Sequence, residues 1–329
     1  MHARLATAAD APRAPVSVLI PSWNSGDLLA RCLESLRGEA ADIVVVDNAS
    51  GDGSADMTAA RFPDVTLVRS ATNLGFAGAL NEAARHARGR YLLLLNPDTE
   101  ASPGAVDRLA RFVDAQPRCG AAAARLVDER GRPQAEFGVR RFPTLGSWAV
   151  DLLLIDKLWP SNPVTRRYRA RDLSFAGPTE VEQPAAACLL VRRDAFEQLG
   201  GLDDAFYPAW FEDVDFCRRL RAAGWSIYLV PDAVFRHRGG VAMDALGIRA
   251  FSSVWYRNLE RYVRKHQGAA SLVAVKAMIG AGMIARAAVA AARGRGGDAA
   301  AYLRVLGRTL TSWPHGMQNA KRKVSNPER

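Results

Sequence analysis

Arg90-Tyr91-Leu92-Leu93-Leu94-Leu95-Asn96-Pro97-Asp98-Thr99 is the stretch on which the fold of this 329-residue chain turns. Its five large apolar residues, Tyr91 to Leu95, make a run too short to span a membrane and too uniform for a strand with one wet face. They read as a strand buried on both faces, as in a parallel sheet covered by helices. Pro97 has no N–H to give a sheet ladder, so the strand must end there. Asn96 and Asp98 then stand at the carboxyl edge of a buried strand, where open α/β sheets place their ligands. An Asn-Pro-Asp turn without a ligand accounts for the same residues, and the surrounding chain has to decide.

Upstream, residues 16–20 (V-S-V-L-I) form a strand broken by Pro21 and the turn-prone residues 22–26. Ser25 or Asp27 can cap the next helix, whose Leu28, Leu29, Cys32, Leu33 and Leu36 share one face before Gly38 ends it. A β-branched strand at 43–46 runs into D-N-A-S-G-D-G-S (47–54). A short helix, a strand at 65–68, a loop at 73–78 and a helix to about 88 complete the approach. Strand and helix alternate with connections of the length that right-handed βαβ units need, which predicts a doubly wound α/β layer. The polar strand ends Ser22/Asn24, Asp47/Asn48, Asn73/Gly75 and Asn96/Asp98 should then converge on one crevice. All strand–helix loops tend to be polar, but that does not explain carboxylates at two of the four edges. Neither a G-x-G-x-x-G nor a Walker A motif occurs.

Downstream, a helix at about 104–115 and a strand at 121–127 precede a basic, proline-punctuated segment from 134 to 184. Its Asp151-Leu152-Leu153-Leu154-Ile155 and Trp159 are read as a mobile element over the site. A buried strand at 185–191 and a helix at 194–199 follow. The next helix begins near Glu212 and Asp213, carries Phe216 and Leu220 on one face, and sets Arg218 and Arg219 within reach of Asp215. A strand at 225–230 leads to Phe235-Arg236-His237-Arg238-Gly239-Gly240.

The 49% hydrophobic and 24% charged fractions are those of an ordinary soluble globular protein. Cys32, Cys119, Cys188 and Cys217 are scattered without a C-x-x-C pair, so packed, reduced thiols in a cytosolic protein are expected, and no zinc site. Residues 1–15 lack the apolar core of a signal peptide and read as a disordered lead. The net charge of +10 is concentrated at the end: residues 241–329 hold 15 Lys/Arg against 4 Asp/Glu, and the rest of the chain 29 against 30. Such asymmetry points to a polyanionic partner, an anionic membrane surface or nucleic acid.

Six motifs, in order, then carry a resemblance: V-S-V-L-I-P-S-W-N (16–24), V-V-V-D-N-A-S-G-D-G-S (44–54), N-L-G-F-A-G-A-L-N (73–81), L-L-L-L-N-P-D-T (92–99), G-G-L-D-D-A-F (200–206) and F-E-D-V-D-F-C-R-R (211–219). Over residues 16–240 the chain resembles the family 2 inverting glycosyltransferases, most of all their bacterial rhamnosyltransferase branch. The resemblance implies a GT-A (Rossmann-like) fold, a mixed and mainly parallel sheet flanked by helices. Its nucleotide-sugar half would be about 16–127, its acceptor half about 185–240, and 241–329 a basic helical extension. It implies inverting transfer from a nucleotide-diphosphate sugar, dTDP-L-rhamnose first, to a glycan or lipid-linked acceptor in cell-envelope polysaccharide synthesis, with Mg²⁺ or Mn²⁺.

By the same resemblance Asn96-Pro97-Asp98 stands where the family has D-x-D, with Asn in place of the first Asp. Metal binding would then rest on Asp98 and on His237 of H-R-G-G. Asp47 would hydrogen-bond the base, with Pro21, Ser22, Asn24, Asn48, Asn73 and Gly75 lining the donor pocket. Asp213, with Glu212 beside it, would be the general base, and Asp203 and Trp210 would shape the acceptor pocket. Plainer roles compete: Asp47 can cap its own turn, a lone His is often structural, and Glu212 and Asp213 suit the dipole at a helix N-terminus.

The tail from Ala269 is apolar and helical but interrupted by Lys276 and Arg286, a poor transmembrane candidate. It reads as an interfacial helix with basic residues along one side, or as a helical cap on the catalytic domain. The first reading places the protein in the cytoplasm, peripheral at the inner face of the cell membrane. Rival donors are a UDP-hexose or UDP-galactofuranose. A nucleotidyltransferase would normally show a glycine-rich, basic loop after the first strand, and Pro21-Ser22-Trp23-Asn24 lacks it. A nucleic-acid-binding protein does not explain a charge-balanced body with carboxylates at strand ends, so no nucleic-acid partner is expected.

Overall fold

The computed structural model describes residues 15–39, 41–239 and 241–311, the last from residue 251 onward with side chains. The lead expected at 1–15 lies outside the described residues except for Pro15, whose carbonyl accepts from Tyr91 N. In chain order the elements are β1 (Val16–Ser22), α1 (Gly26–Ser35), β2 (Ala41–Asp47), α2 (Ser54–Arg61), β3 (Thr66–Arg69), α3 (Gly75–His86), β4 (Tyr91–Leu95) and β5 (Thr99–Ala101). There follow α4 (Ala105–Ala115), β6 (Cys119–Val127), α5 (Ala135–Gly138), β7 (Val139–Arg140), α6 (Leu145–Leu152), α7 (Ile155–Leu158) and α8 (Pro163–Tyr168). The last group is β8 (Thr179–Glu180), β9 (Gln183–Pro184), β10 (Cys188–Arg192), α9 (Arg193–Gln198), α10 (Glu212–Ala222), β11 (Ser226–His237), α11 (Val241–Ala292) and α12 (Gly296–Thr311).

The main sheet runs β3-β2-β1-β4-β10-β6-β11-β5, with β8 also on β11. β3, β2, β1 and β4 are parallel; β10 lies antiparallel between β4 and β6, and β11 is parallel to β6. All five residues of β4 are fully buried. Tyr91, Leu93 and Leu95 join one apolar core and Leu92 and Leu94 another, so alternate side chains feed helical layers on both faces. The expected mixed, mainly parallel α/β sheet is what the chain forms.

Two strands run past their expected ends, each through a proline. β1 continues through Pro21, paired with Val46, because its ladder with β4 already stops at Leu19 and one edge is free there. β11 passes Pro231 by a bulge: its register on β6 jumps between Val230 and Val234, after which the strand runs on to His237. All four cysteines are buried and unpaired.

α11 is 52 residues long, but Gly268 has φ +83° and Lys276 Nζ lies 3.4 Å from Glu260 Oε2. In a straight helix those sixteen positions would be separated by about 24 Å. α11 is therefore two antiparallel legs turned at Gly268. The stretch Phe251–Ala292, long and apolar enough by composition to cross a membrane, is folded in two.

Both legs pack on the body, and α12 packs on α11. Tyr256, Leu259, Tyr262, Leu272, Val275 and Met283 share a core with Trp148 and Leu152 of α6 and with Phe206 and Phe211. Lys276 and Arg286, expected along an outer basic side, are turned inward. Lys276 is 3% exposed and paired with Glu260, while Arg286 donates to the carbonyls of Leu152 (2.7 Å) and Asp151 (3.1 Å). A buried cation is tolerated only with such partners.

Gly282 makes the α6 contact possible, since a Cβ there would lie 2.1 Å from the Leu152 carbonyl oxygen. Gly282→Ala is expected to push the second leg off α6 and cost about 1–3 kcal/mol, read as a lowered Tm with the donor-side thermal response intact.

Candidate active site

The carboxyl end of β4 and the end of β11 meet because β11 pairs antiparallel with β5, placing His237 opposite Thr99. Asp98 is thereby brought beside a histidine 139 positions further along the chain. Asp98 Oδ2 accepts from Gly239 N (3.1 Å). Its Oδ1 is buried without a hydrogen bond, as is Asn96 Oδ1, and lies 3.6 Å from His237 Nε2. Gln134 Nε2 donates to the His237 carbonyl (2.9 Å), which turns Gln134 Oε1 toward His237 Nδ1 (2.9 Å). A carbonyl oxygen can only accept, so Nδ1 carries the proton and the Nε2 lone pair faces Asp98. Burial pulls the His237 pKa below its usual value against the raising effect of Asp98, which favours the neutral ring. Phe137 stacks on that ring at 4.8 Å.

A divalent cation fits this corner. Asp98 Oδ1, buried without a hydrogen bond, and His237 Nε2 are 3.6 Å apart, close enough to share one ion at about 2.1 Å each. Among the described residues no group of three or more His, Cys, Asp or Glu forms a candidate metal site. Any ion here would take its remaining ligands from a diphosphate and water.

The loops after β1, β2 and β3 are tied to one another, but of the eight residues expected at the four strand ends only Asn96 and Asp98 line the cavity that holds Asp213. Asp47 Oδ2 accepts from Ser50 N (3.2 Å), capping its own turn, while Oδ1 is buried with no partner, as is Ser22 Oγ. One carboxylate thus serves the turn and keeps an acceptor free for a ligand. Asn24 Oδ1 accepts from Gly51 N (2.8 Å), joining the first two loops. Asn48 accepts from Leu74 N (3.0 Å) and donates to the Gly75 carbonyl (3.1 Å), joining the second and third. Asn73 Oδ1 accepts from Gly75 N (2.8 Å). A Cβ on Gly75, at φ +73°, would meet the Pro208 carbonyl at 2.8 Å. Asn48, Asn73 and Gly75 therefore hold the loops together with groups already engaged, and Pro21 is buried in β1.

α10 begins after two consecutive non-glycine residues in the left-handed region, Trp210 (φ +73°) and Phe211 (φ +77°). That conformation is costly for L-residues. Asn258 of α11 holds it, donating to the carbonyls of Phe206 (3.0 Å) and Ala209 (2.8 Å). The C-terminal extension thus sets the entry to the helix that carries the acids.

Asp213 faces a cavity of about 530 Å³ that also reaches Asn96, Asp98 and His237. Burial raises its pKa, against the lowering effect of Val214 N (2.7 Å) and Ala186 N (3.5 Å). Glu212 lines the same cavity with Oε2 unpartnered. Burial first, then the Asp213 charge, pushes its acid well above the usual range, favouring the protonated form.

Asp215 does other work. It is fully buried, and although burial opposes its charge, His266 (2.7 Å), Lys265 (2.7 Å) and Arg219 (2.8 Å) lower its pKa to about 2. Arg218, expected to join that pair, donates to the Tyr262 hydroxyl instead (3.2 Å).

Trp210 lines the cavity, edge-on to Phe251. Asp203 does not: its Oδ1 caps Ala205 N (3.1 Å) and its Oδ2 pairs with Lys265 (2.6 Å). Residues 151–159, read as a mobile cover, include the end of α6 and all of α7, and α6 is a packed cavity wall contributing Trp148 and Asp151. Sequence reasoning missed Gln134, Arg140, Trp148 and Tyr168 from the irregular 134–184 segment, and Phe251 and Trp255 from α11, all at the cavity or its histidine. No period or motif marks them.

A mannosyltransferase from Pyrobaculum calidifontis, solved with GDP-Man and Mn²⁺, shares the architecture at a TM-score of 0.54 over 92% of this chain and 88% of its own, with 19% identity. Sheet order, carboxylate edge and the separate acid-bearing helix define a glycosyltransferase of the GT-A fold. The chain belongs to glycosyl transferase family 2, whose pattern it matches over residues 17–200. An N-acetylglucosaminyl-diphospho-decaprenol L-rhamnosyltransferase of Mycobacterium tuberculosis is 32% identical over 238 residues, 67% of this chain and 75% of its own. Rhamnosyltransferase WbbL of Escherichia coli K12 is 27% identical over 153 residues, 46% of this chain and 53% of its own.

Proposed function

We propose that the protein transfers L-rhamnose from dTDP-L-rhamnose, with inversion, to a sugar on a polyprenyl-diphosphate acceptor at the inner face of the cell membrane, in envelope polysaccharide synthesis. The observation that carries the chemistry is one cavity holding both the raised-pKa Asp213 and the unsatisfied Asp98–His237 corner. The 32% identity to a rhamnosyltransferase whose name specifies a diphospho-decaprenol acceptor supports donor and acceptor class.

In this reading Asp47 Oδ1 and Ser22 Oγ, both without partners, take the base and adjoining nucleoside. Asp98 and His237 would hold Mg²⁺ or Mn²⁺. When bound, the ion neutralises charge on the diphosphate leaving group. Asp213 takes the proton of the acceptor hydroxyl as its oxygen bonds to the anomeric carbon and the bond to the nucleoside diphosphate breaks. Trp148, Trp210 and Trp255 form an apolar wall for the acceptor sugar ring, excluding water that would compete as nucleophile. Residues 16–127 serve the donor. The acceptor side is residues 185–240, widened by α6 and the first leg of α11.

A UDP-hexose or UDP-galactofuranose donor is the second reading, since Asp47 can accept from the imide N–H of uracil as of thymine. Thermal-shift screening with dTDP-rhamnose, UDP-glucose, UDP-galactose and GDP-mannose, with and without Mn²⁺, separates them. The largest shift is expected with dTDP-rhamnose, enhanced by Mn²⁺; a larger one with a UDP-sugar would reassign the donor.

A further inference from the structure

The second leg of α11 is built the wrong way round for a helix in water. Its cations point inward, Lys276 to Glu260 and Arg286 to the end of α6. Its exposed positions between 273 and 292 are all Val, Ala or Ile, with Val273, Ile284 and Val289 the largest. A surface helix normally shows charged or polar residues outward, and a soluble protein seldom leaves so long an apolar stripe uncovered. The sequence pattern alone could not reveal this, because it shows two charges in an apolar helix without saying which way they face.

A second apolar element adjoins it. α6 ends against Gly282 and Arg286, and the chain then exposes Leu153, Ile155, Leu158 (87% exposed) and Trp159 (57%) within seven residues. Cations border both: Lys157 within the loop, and the exposed Arg293 and Arg295 just after the leg. Apolar side chains, an exposed tryptophan and a basic border are the composition of a surface that lies in the headgroup–acyl boundary of an anionic bilayer.

We propose that the outward face of the second α11 leg and the 153–159 loop together form a membrane-docking surface for anionic lipid. The leg lies in the interface rather than spanning it, because its other side is committed to the core shared with α6, Phe206 and Phe211. The placement rests on the lipid-linked acceptor reading and deepens it. Trp148 and Asp151 face the cavity from α6, and Leu153 follows directly on the exposed side. One short helix thus connects the lipid surface with the place where a lipid-borne sugar must meet Asp213. A second copy of the chain is the rival occupant, and the basic border argues against it, since two such faces would repel.

Truncating the tail from Ala269 would not test this, since it would strip Leu272, Val275, Ile279 and Met283 from the core they share with Tyr262 and Trp148. The full-length protein is instead sedimented with phosphatidylglycerol/phosphatidylcholine vesicles and with pure phosphatidylcholine vesicles, and its mass in solution is measured. Wild type is expected to bind the phosphatidylglycerol vesicles preferentially and to be unchanged in mass by the substitutions. Leu158→Glu with Ile284→Glu should lower binding by about tenfold or more, given what burying such side chains is worth. Arg293→Glu with Arg295→Glu should abolish only the preference for phosphatidylglycerol. Both variants should keep the wild-type Tm and the thermal shift given by dTDP-rhamnose with Mn²⁺. Unchanged vesicle binding by the Leu158/Ile284 variant would overturn the surface. So would a wild-type dimer that this variant splits without loss of lipid binding. Absence of any dTDP-rhamnose shift in wild type would instead count against the donor reading and leave the vesicle result standing.

Discussion

Asp213→Asn is expected to reduce transfer by about 10²–10⁴-fold in kcat, the usual worth of a positioned general base, while the donor-induced thermal shift stays at its wild-type size. The amide keeps the shape, and its one oxygen can still accept from Val214 N, the shorter of the two bonds, while only the 3.5 Å contact from Ala186 N is given up, so neither the helix start nor the cavity should collapse. What it loses is a site for the acceptor's proton. Glu212 cannot easily stand in, because burial and its acidic neighbours hold its own proton in place.

The pH dependence follows from the same geometry. Transfer needs Asp213 ionised, and burial raises its pKa above the ordinary 3.8. Activity should therefore fall as pH drops through that raised value, giving an acid limb on the high side of a normal aspartate, and the limb should vanish from the residual activity of the Asn variant. Near-wild-type turnover in Asp213→Asn would sink the assignment.

Asp98→Ala is the second large effect. It should abolish the Mn²⁺-dependent part of the dTDP-rhamnose thermal shift and lower transfer by at least about 10²-fold, the scale of losing a group that stabilises developing charge. The reason is local. The motif has a single carboxylate, since Asn96 stands beside Asp98, and Asp98 Oδ1 is the unsatisfied charged atom facing His237. Removing it leaves one imidazole, a poor hold on a hard divalent ion. The Mn²⁺-independent shift should persist, because Asp47 and Ser22 lie on other strands. A Mn²⁺ response equal to wild type would show that the ion, if it binds, does so elsewhere.

The strand-end residues of the proposed donor side were legible because they sit within 77 residues of chain, from Ser22 through Asp47 and Asn73 to Asp98. A buried strand announces its own end, and the polar residue after it can only lie at the sheet edge. The far wall of the cavity was legible only through its helix, around Asp213. Gln134, Arg140 and Trp148 come from a segment with no period, and Phe251 and Trp255 from a helix whose pattern shows burial but not against what. Asp203 looked like a site residue and proved to be a turn cap paired with Lys265, since an Asp before a helical turn reads the same in either role.

The sequence by itself determined the alternating sheet, the doubly buried β4 and the carboxylates along its edge, because hydrophobic periodicity and proline stops are local constraints. The tertiary structure alone decided three other things. It brought His237 to Asp98 through the long bulged β11, since antiparallel register is set by a partner strand and not by the strand's own residues. It folded α11 back at Gly268, so that an apolar stretch of spanning length pairs its own two legs and gives the buried Lys276 its partner in Glu260. And it faced that helix's charges inward and its valines, alanines and isoleucine outward, an orientation that depends on which neighbours the helix meets and therefore cannot be read from the helix alone.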